Sequence, residues 1–65
     1  MKNILIYSNR GDPIYIAVSS KAVFHVMYQG ESISAHTSVG AAVQYAASEF
    51  SLEDAMGIFG WQPII

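Results

Sequence analysis

His25 and His36 are the two residues of this 65-residue sequence that could hold a metal ion together. In the strand pairing derived below, both fall on the same face of a β-hairpin as a diagonal pair. A metal site needs three or four ligands, and the serines between the two histidines are poor ones. The pattern therefore favours two half-exposed polar side chains over a metal centre, and no cofactor is expected.

The sequence also contains no pattern that is typical of a catalytic site. A serine hydrolase needs a serine, a histidine and an acid that converge beside an oxyanion hole, and no segment resembles a nucleophile elbow. Glu53 and Asp54 are adjacent on a predicted helix, so their side chains point about 100° apart and cannot share a proton. A chain of this length could hardly enclose a substrate-sized pocket. The sequence indicates a protein that is not an enzyme.

The tripeptide Arg10-Gly11-Asp12 matches an adhesion motif. It lies between Ser8 and Pro13 in a segment rich in turn-forming residues, and three-residue matches are common by chance. We interpret the segment as a turn.

Composition excludes several classes of partner. We expect one domain, residues 1–65, near the lower size limit for independent folding. The chain has no cysteine, so no disulfide can stabilise this domain. Its three basic residues are too few for nucleic-acid binding, and its apolar runs are too short to span a membrane. The N-terminal segment is typical of a first strand and not of a signal peptide, so the cytoplasm is the expected compartment.

Four segments have the composition and period of strands. They are Asn3–Tyr7, Ile14–Ser19, Ala22–Tyr28 and Glu31–His36. Gln29-Gly30 predicts a two-residue hairpin loop that places Val26 opposite Ile33 and Phe24 opposite Ala35, on one apolar face. The fourth segment could instead be an extended loop that leads into the helix.

Two helices are expected after the strands. Thr37–Phe50 has an apolar stripe at helical spacing, with Thr37 or Ser38 as N-cap. Ser51 followed by Glu53 and Asp54 predicts the N-terminus of a second helix, which Gly60 ends. The expected fold is α+β, with an antiparallel four-stranded meander sheet followed by two helices packed on one face, in two layers.

An excess of apolar side chains is the strongest functional indication. Charged residues make up 12% of the chain and hydrophobic residues 52%, which is unusual for so small a soluble domain. Which sheet face the helices cover is ambiguous for the first two strands, and one face retains apolar or aromatic residues in either case. The residues expected to bind a partner are Tyr7, Tyr15, Val23, Met27, Tyr45 and Trp61.

The sequence thus favours a small non-enzymatic protein–protein interaction module that acts stoichiometrically, as an adaptor or an inhibitor of a larger protein. Phages and other mobile elements often encode such proteins, although no residue identifies the source. One alternative is a structural homo-oligomer, for example a homodimer, in which Ile64 and Ile65 complete the core of a neighbouring copy. Another is a weak binder of metal or small molecules through His25 and His36. Neither nucleic acid nor membrane is expected as a partner.

Overall fold

The structure, a computed structural model, describes residues 1–8, 11–52 and 60–64. Its elements are β1 (Lys2–Tyr7), β2 (Ile14–Val18), β3 (Phe24–Tyr28), β4 (Glu31–His36), α1 (Val39–Glu49) and β5 (Trp61–Pro63). The strands form one antiparallel sheet in the order β4-β3-β2-β1-β5. The α+β class and the meander of the first four strands are confirmed, whereas the predicted arrangement of four strands followed by two helices is wrong.

A fifth strand is the main departure from the prediction. Trp61 pairs with Tyr7 and Pro63 with Leu5, so the C-terminal segment extends the sheet beyond β1. Proline lacks an N–H donor, and it is tolerated here because β5 is an edge strand. The three residues of β5 are too few for an alternating pattern to reveal a strand, and one of them is proline.

Ser51 lies just beyond α1, after the C-cap residue Phe50, and its prediction as the N-cap of a second helix is wrong. An N-cap residue has extended backbone, whereas Ser51 has a φ of +53°. Its N–H donates to the carbonyl of Ser48, and the N–H of Leu52 donates to the carbonyl of Ala47. This pair of bonds is the Schellman motif, in which the residue after the C-cap is left-handed. The rest of the predicted second helix falls on residues 53–59, outside the described residues.

Replacing Ser51 by glycine should stabilise the protein by about 0.5–1 kcal/mol, because glycine adopts a left-handed backbone without a steric cost. Ser51→Ala is the control and should give no gain, since alanine keeps the Cβ. The measurement is urea-induced unfolding followed by circular dichroism. Stabilisation of both variants alike, or a loss with both, would contradict the assignment of Ser51 to the end of α1.

α1 confirms the predicted first helix within two residues at its start and one at its end. The Oγ of Ser38 accepts a hydrogen bond from the N–H of Ala41 at 3.1 Å, which is the predicted N-cap. The small side chains of the helix let it lie close to β2, β3 and β4. The core consists of Ile14, Ile16, Val26, Ala42, Val43, Ala46 and Trp61.

Among the described residues, no helix combines the length and the apolar character needed to cross a bilayer. α1 has 11 residues, and at about 1.5 Å per residue it is roughly half as long as the bilayer core is thick.

The β3–β4 hairpin has the predicted loop, but the later side chains of β4 point to the opposite side of the sheet from the one predicted. Gln29 and Gly30 both have positive φ, +53° and +80°, as a two-residue type I′ turn requires. Beyond Ser32 the register shifts, so that Ser34 lies opposite Val26 and Ile33 is the extra residue of a β-bulge. A bulge turns every later side chain to the other face.

The bulge overturns the predicted pairings of Val26 with Ile33 and of Phe24 with Ala35. Phe24 instead pairs with His36, whose ring packs against Tyr45 of α1 at a centroid distance of 5.2 Å. The aromatic pair occupies the side of β4 that faces the helix, where aliphatic side chains were expected, and Ile33 remains 36% exposed.

Candidate interaction surface

His25 and His36 lie on opposite faces of the sheet, and their predicted placement on one face is wrong. His36 pairs with Phe24, which packs on the core, while His25 is the next residue of β3 and points the other way. The separation follows from the bulge at Ile33, which reverses the last residues of β4. The two imidazoles therefore cannot bind one metal ion.

Each histidine instead bonds to a serine on its own face. His25 Nδ1 lies 2.9 Å from the Oγ of Ser32, and His36 Nε2 lies 2.8 Å from the Oγ of Ser34. Both rings are half-buried and neither has a carboxylate among its hydrogen-bond partners in the described residues. These contacts orient the rings within the sheet and assemble no catalytic group.

Gly11 and Asp12 of the adhesion-like tripeptide lie in the loop between β1 and β2. The amide Nε2 of Gln29 donates to a carboxylate oxygen of Asp12 at 2.8 Å and joins the β1–β2 loop to the β3–β4 loop. Gly11 has a φ of +83°, as expected in a turn, and Arg10 lies outside the described residues. The carboxylate of Asp12 thus has a partner within the chain.

In residues 1–8, 11–52 and 60–64, no three His, Cys, Asp or Glu side chains are grouped so that they could hold a metal ion. The same residues form no pocket for a small molecule. The remaining candidate is the surface of the sheet itself.

We call the side of the sheet that faces away from α1 the open face. Ile14 and Ile16 of the central strand β2 point to the helix and are fully buried, so Tyr15 and Ala17 point to the open face. The described residues contain one helix, and it packs on the other side, against β2, β3 and β4, so they supply no second helical layer here.

Two rows of paired residues cross the open face, because paired residues of neighbouring strands point to the same side. The first row carries the bulky apolar side chains of Ile6, Tyr15 and Met27, all half-buried, with Gln62 and Ser32 at its ends. The second row contains Asn3, Ala17, His25 and Ala35.

Charge is missing from both rows. Of the described residues in them, none is Asp, Glu, Lys or Arg. Depletion of charge together with Tyr and Met at the centre is the composition that protein–protein interfaces share.

The predicted partner-binding residues divide between the two faces. Tyr15 and Met27 lie side by side on the open face, and Val23 is half-buried just before β3. Tyr7 and Trp61 instead pack on each other at a centroid distance of 5.3 Å, and Trp61 belongs to the core. Of the six, the structure therefore places Tyr15 and Met27 side by side on the open face, and it pairs Tyr7 with Trp61 on the helix side.

Tyr45 lies on α1, where its ring packs on His36.

The sequence did not predict Ile6 as a member of the first row, because the β1–β2 loop is too long to fix the register of its strands from sequence. The bulge at Ile4, between the pairs that Asn3 and Leu5 make with β2, adds a shift that strand alternation does not predict.

Comparisons of the chain with protein-family models, with curated proteins and with solved structures give no match.

Proposed function

We propose that this protein is a non-enzymatic protein-interaction module, and that the open face is its contact surface. It acts stoichiometrically, by covering apolar surface on another polypeptide chain. The observation that carries the proposal is the row of Ile6, Tyr15 and Met27, which crosses three adjacent strands on the face away from α1. The proposal includes the cytoplasm as the compartment, which the absence of cysteine permits.

Tyr15 and Met27 are the expected anchors of the contact. Both lie near the middle of the sheet, on the central strand and its neighbour, where a partner would exclude water from them. Tyrosine buries a large apolar area with few rotatable bonds, and the flexible thioether of methionine adapts to an irregular surface. Residues of this kind at the centre of a contact contribute most of the binding free energy.

A photoreactive side chain in place of Tyr15 tests the contact directly. Benzoylphenylalanine retains an aromatic ring at this position, and irradiation in the lysate of the native cell should give a covalent adduct with a polypeptide. The matched control carries the same group at Gln44, an exposed position of α1. No adduct from position 15, or equal adducts from both positions, would contradict the open face as the contact surface.

Met27→Asp provides a second test, because it places a carboxylate in the row without enlarging the side chain. We expect the photoreactive chain that also carries Met27→Asp to lose its adduct while its circular dichroism spectrum is unchanged. The comparison variant, Gln44→Asp, should leave the adduct in place. The photoreactive chain alone, the same chain with Met27→Asp and the same chain with Gln44→Asp are compared. Equal adduct yield from all three would argue against the proposal.

A further inference from the structure

We infer that the open face recognises a hydrogen-bond donor of its partner through Nε2 of His25, and that protonation of this nitrogen releases the partner. The inference rests on the proposed function, because it names a polar contact and a pH sensitivity of the same surface. The hydrogen bonds around the ring decide which of its two nitrogens carries the proton.

A chain of two hydrogen bonds fixes the proton on Nδ1. The Oγ of Ser32 donates to the carbonyl oxygen of Ser34 at 3.3 Å. A serine hydroxyl has one proton, so a hydroxyl that donates to Ser34 can only accept from His25. Nδ1 of His25 lies 2.9 Å from the same Oγ and is therefore the donor. The neutral ring then has its proton on Nδ1 and an unshared electron pair on Nε2.

Nε2 is the ring nitrogen farther from the backbone, and it has no hydrogen-bond partner among the described residues. None of the side-chain nitrogens and oxygens in this part of the chain is both buried and without a partner, so Nε2 is within reach of a molecule on the open face. His25 pairs with Ala17 and Ala35, whose methyl groups cannot hydrogen-bond. A partner that covers the ring must therefore supply an N–H or O–H group to Nε2, because burial of an acceptor without a donor is unfavourable.

The described neighbours of His25 contain no charge that would offset a proton on its ring. On β2, Ala17 faces the ring directly and Tyr15 diagonally, and on β4 the facing residues are Ala35 and Ser32. None of these four side chains is charged at neutral pH. The other titratable residues of the elements packed on β3 lie toward the helix side, namely Glu31 and His36 of β4 and Tyr45 and Glu49 of α1.

Protonation changes the surface without changing the internal chain of bonds. The incoming proton binds at Nε2, and Nδ1 donates to Ser32 in both forms of the ring. Nε2 turns from an acceptor into a donor, so it no longer accepts the hydrogen bond of the partner. The proton also places a positive charge under the partner, and burial of an unpaired charge is costly. Histidine side chains ordinarily gain this charge between about pH 8 and about pH 5, so mild acidification releases the partner.

Nitrogen-15 NMR of the histidine rings tests the tautomer in the purified chain. We expect the neutral ring of His25 to carry its proton on Nδ1 and to gain the second proton at Nε2 as the pH falls. An unconstrained imidazole side chain favours the proton on Nε2, so Ser32→Ala, which removes the acceptor of Nδ1, should return the ring to that form. A native ring with its proton on Nε2 would overturn the inference.

Photocrosslinking at two pH values tests the release of the partner. The chain with benzoylphenylalanine at position 15 is irradiated in the lysate one pH unit above and one unit below the midpoint that the NMR titration gives for His25. The adduct yield should fall about tenfold from the higher to the lower pH, because the fraction of neutral rings falls by this factor. Equal yields at the two pH values would overturn the inference.

Two substitutions of His25 separate its role from other effects of pH. Glutamine does not titrate, and its amide oxygen reaches about as far as Nε2, so His25→Gln should keep most of the adduct at both pH values. Asparagine reaches only as far as Nδ1, so His25→Asn can donate to Ser32 but offers no outer acceptor. Its adduct yield should be at least about fivefold lower than that of His25→Gln. Equal yields from the two variants would contradict the contact at Nε2.

The results also distinguish failure of this inference from failure of the proposed function. A pH response that persists in His25→Gln would place the sensitivity in His36 or in the partner, and would overturn the role of His25. Adducts from position 15 that depend neither on pH nor on the residue at position 25 would overturn that role too, while the proposed function stands. The absence of any adduct at both pH values overturns both.

Discussion

Replacing Trp61 by alanine should lower the free energy of unfolding by about 3–5 kcal/mol, the usual cost of removing a buried tryptophan. Trp61 is 7% exposed, packs on Tyr7 and closes the core beside β1. A domain of 65 residues has a total stability of roughly 3–10 kcal/mol, so this loss is about a third of the total or more, and the variant should unfold at a much lower urea concentration. Circular dichroism during urea unfolding is the measurement, because Trp61 is the one tryptophan and the variant loses its fluorescence.

Ile64→Ala is the matched control for Trp61→Ala. Ile64 follows β5 directly but is 36% exposed, so its truncation should cost less than about 1 kcal/mol. If Trp61→Ala left the stability unchanged and weakened binding to a partner, Trp61 would belong to the interaction surface, as the sequence indicated. The assignment of Trp61–Pro63 to a fifth strand would then be wrong.

Gly60→Ala should destabilise the protein by about 2–4 kcal/mol, for two independent reasons. Gly60 has a φ of +87°, which residues with a Cβ rarely adopt. An added Cβ would also lie 2.8 Å from Cε2 of Tyr7, and this ring is held against Trp61. The ring must shift to make room and so loses part of its packing on Trp61, and urea unfolding measures the resulting loss.

Gly11→Ala separates the two causes. Its φ is +83°, close to that of Gly60, but no atom lies within 4 Å of the added Cβ. This variant should lose only about 1–2 kcal/mol, the backbone cost of the left-handed conformation. Equal losses for the two alanine variants would show that the contact with Tyr7 contributes nothing, and would argue against the observed junction between Gly60 and β5.

The apolar excess of the sequence is partly accounted for within the chain. Trp61 fills the core, while Tyr7 and Tyr45 pack on neighbouring rings on the helix side. Tyr15 and Met27 remain on the open face, half-buried by their neighbours. Among the described residues, the apolar side chains that no other layer of the chain covers are therefore fewer than composition alone indicates.

Local patterns in the sequence determined α1 and the β3–β4 loop. The apolar stripe from Val39 to Phe50 and the cap at Ser38 depend on neighbours in the chain, and both are observed as predicted. The loop at Gln29-Gly30 follows from two adjacent residues that can adopt positive φ. Such features are predictable because their free energy comes from contacts within a few residues.

Only the tertiary structure decided to which side of the sheet the side chains of β4 point, and that β5 exists. One extra residue at Ile33 separates His25 from His36, and no local pattern marks a bulge, because its stability depends on what packs on both sides of the strand. Trp61 joins the core because β1 offers it an unpaired edge more than fifty residues earlier in the chain. Pairing over such a distance depends on the complete sheet, and a three-residue segment does not encode it.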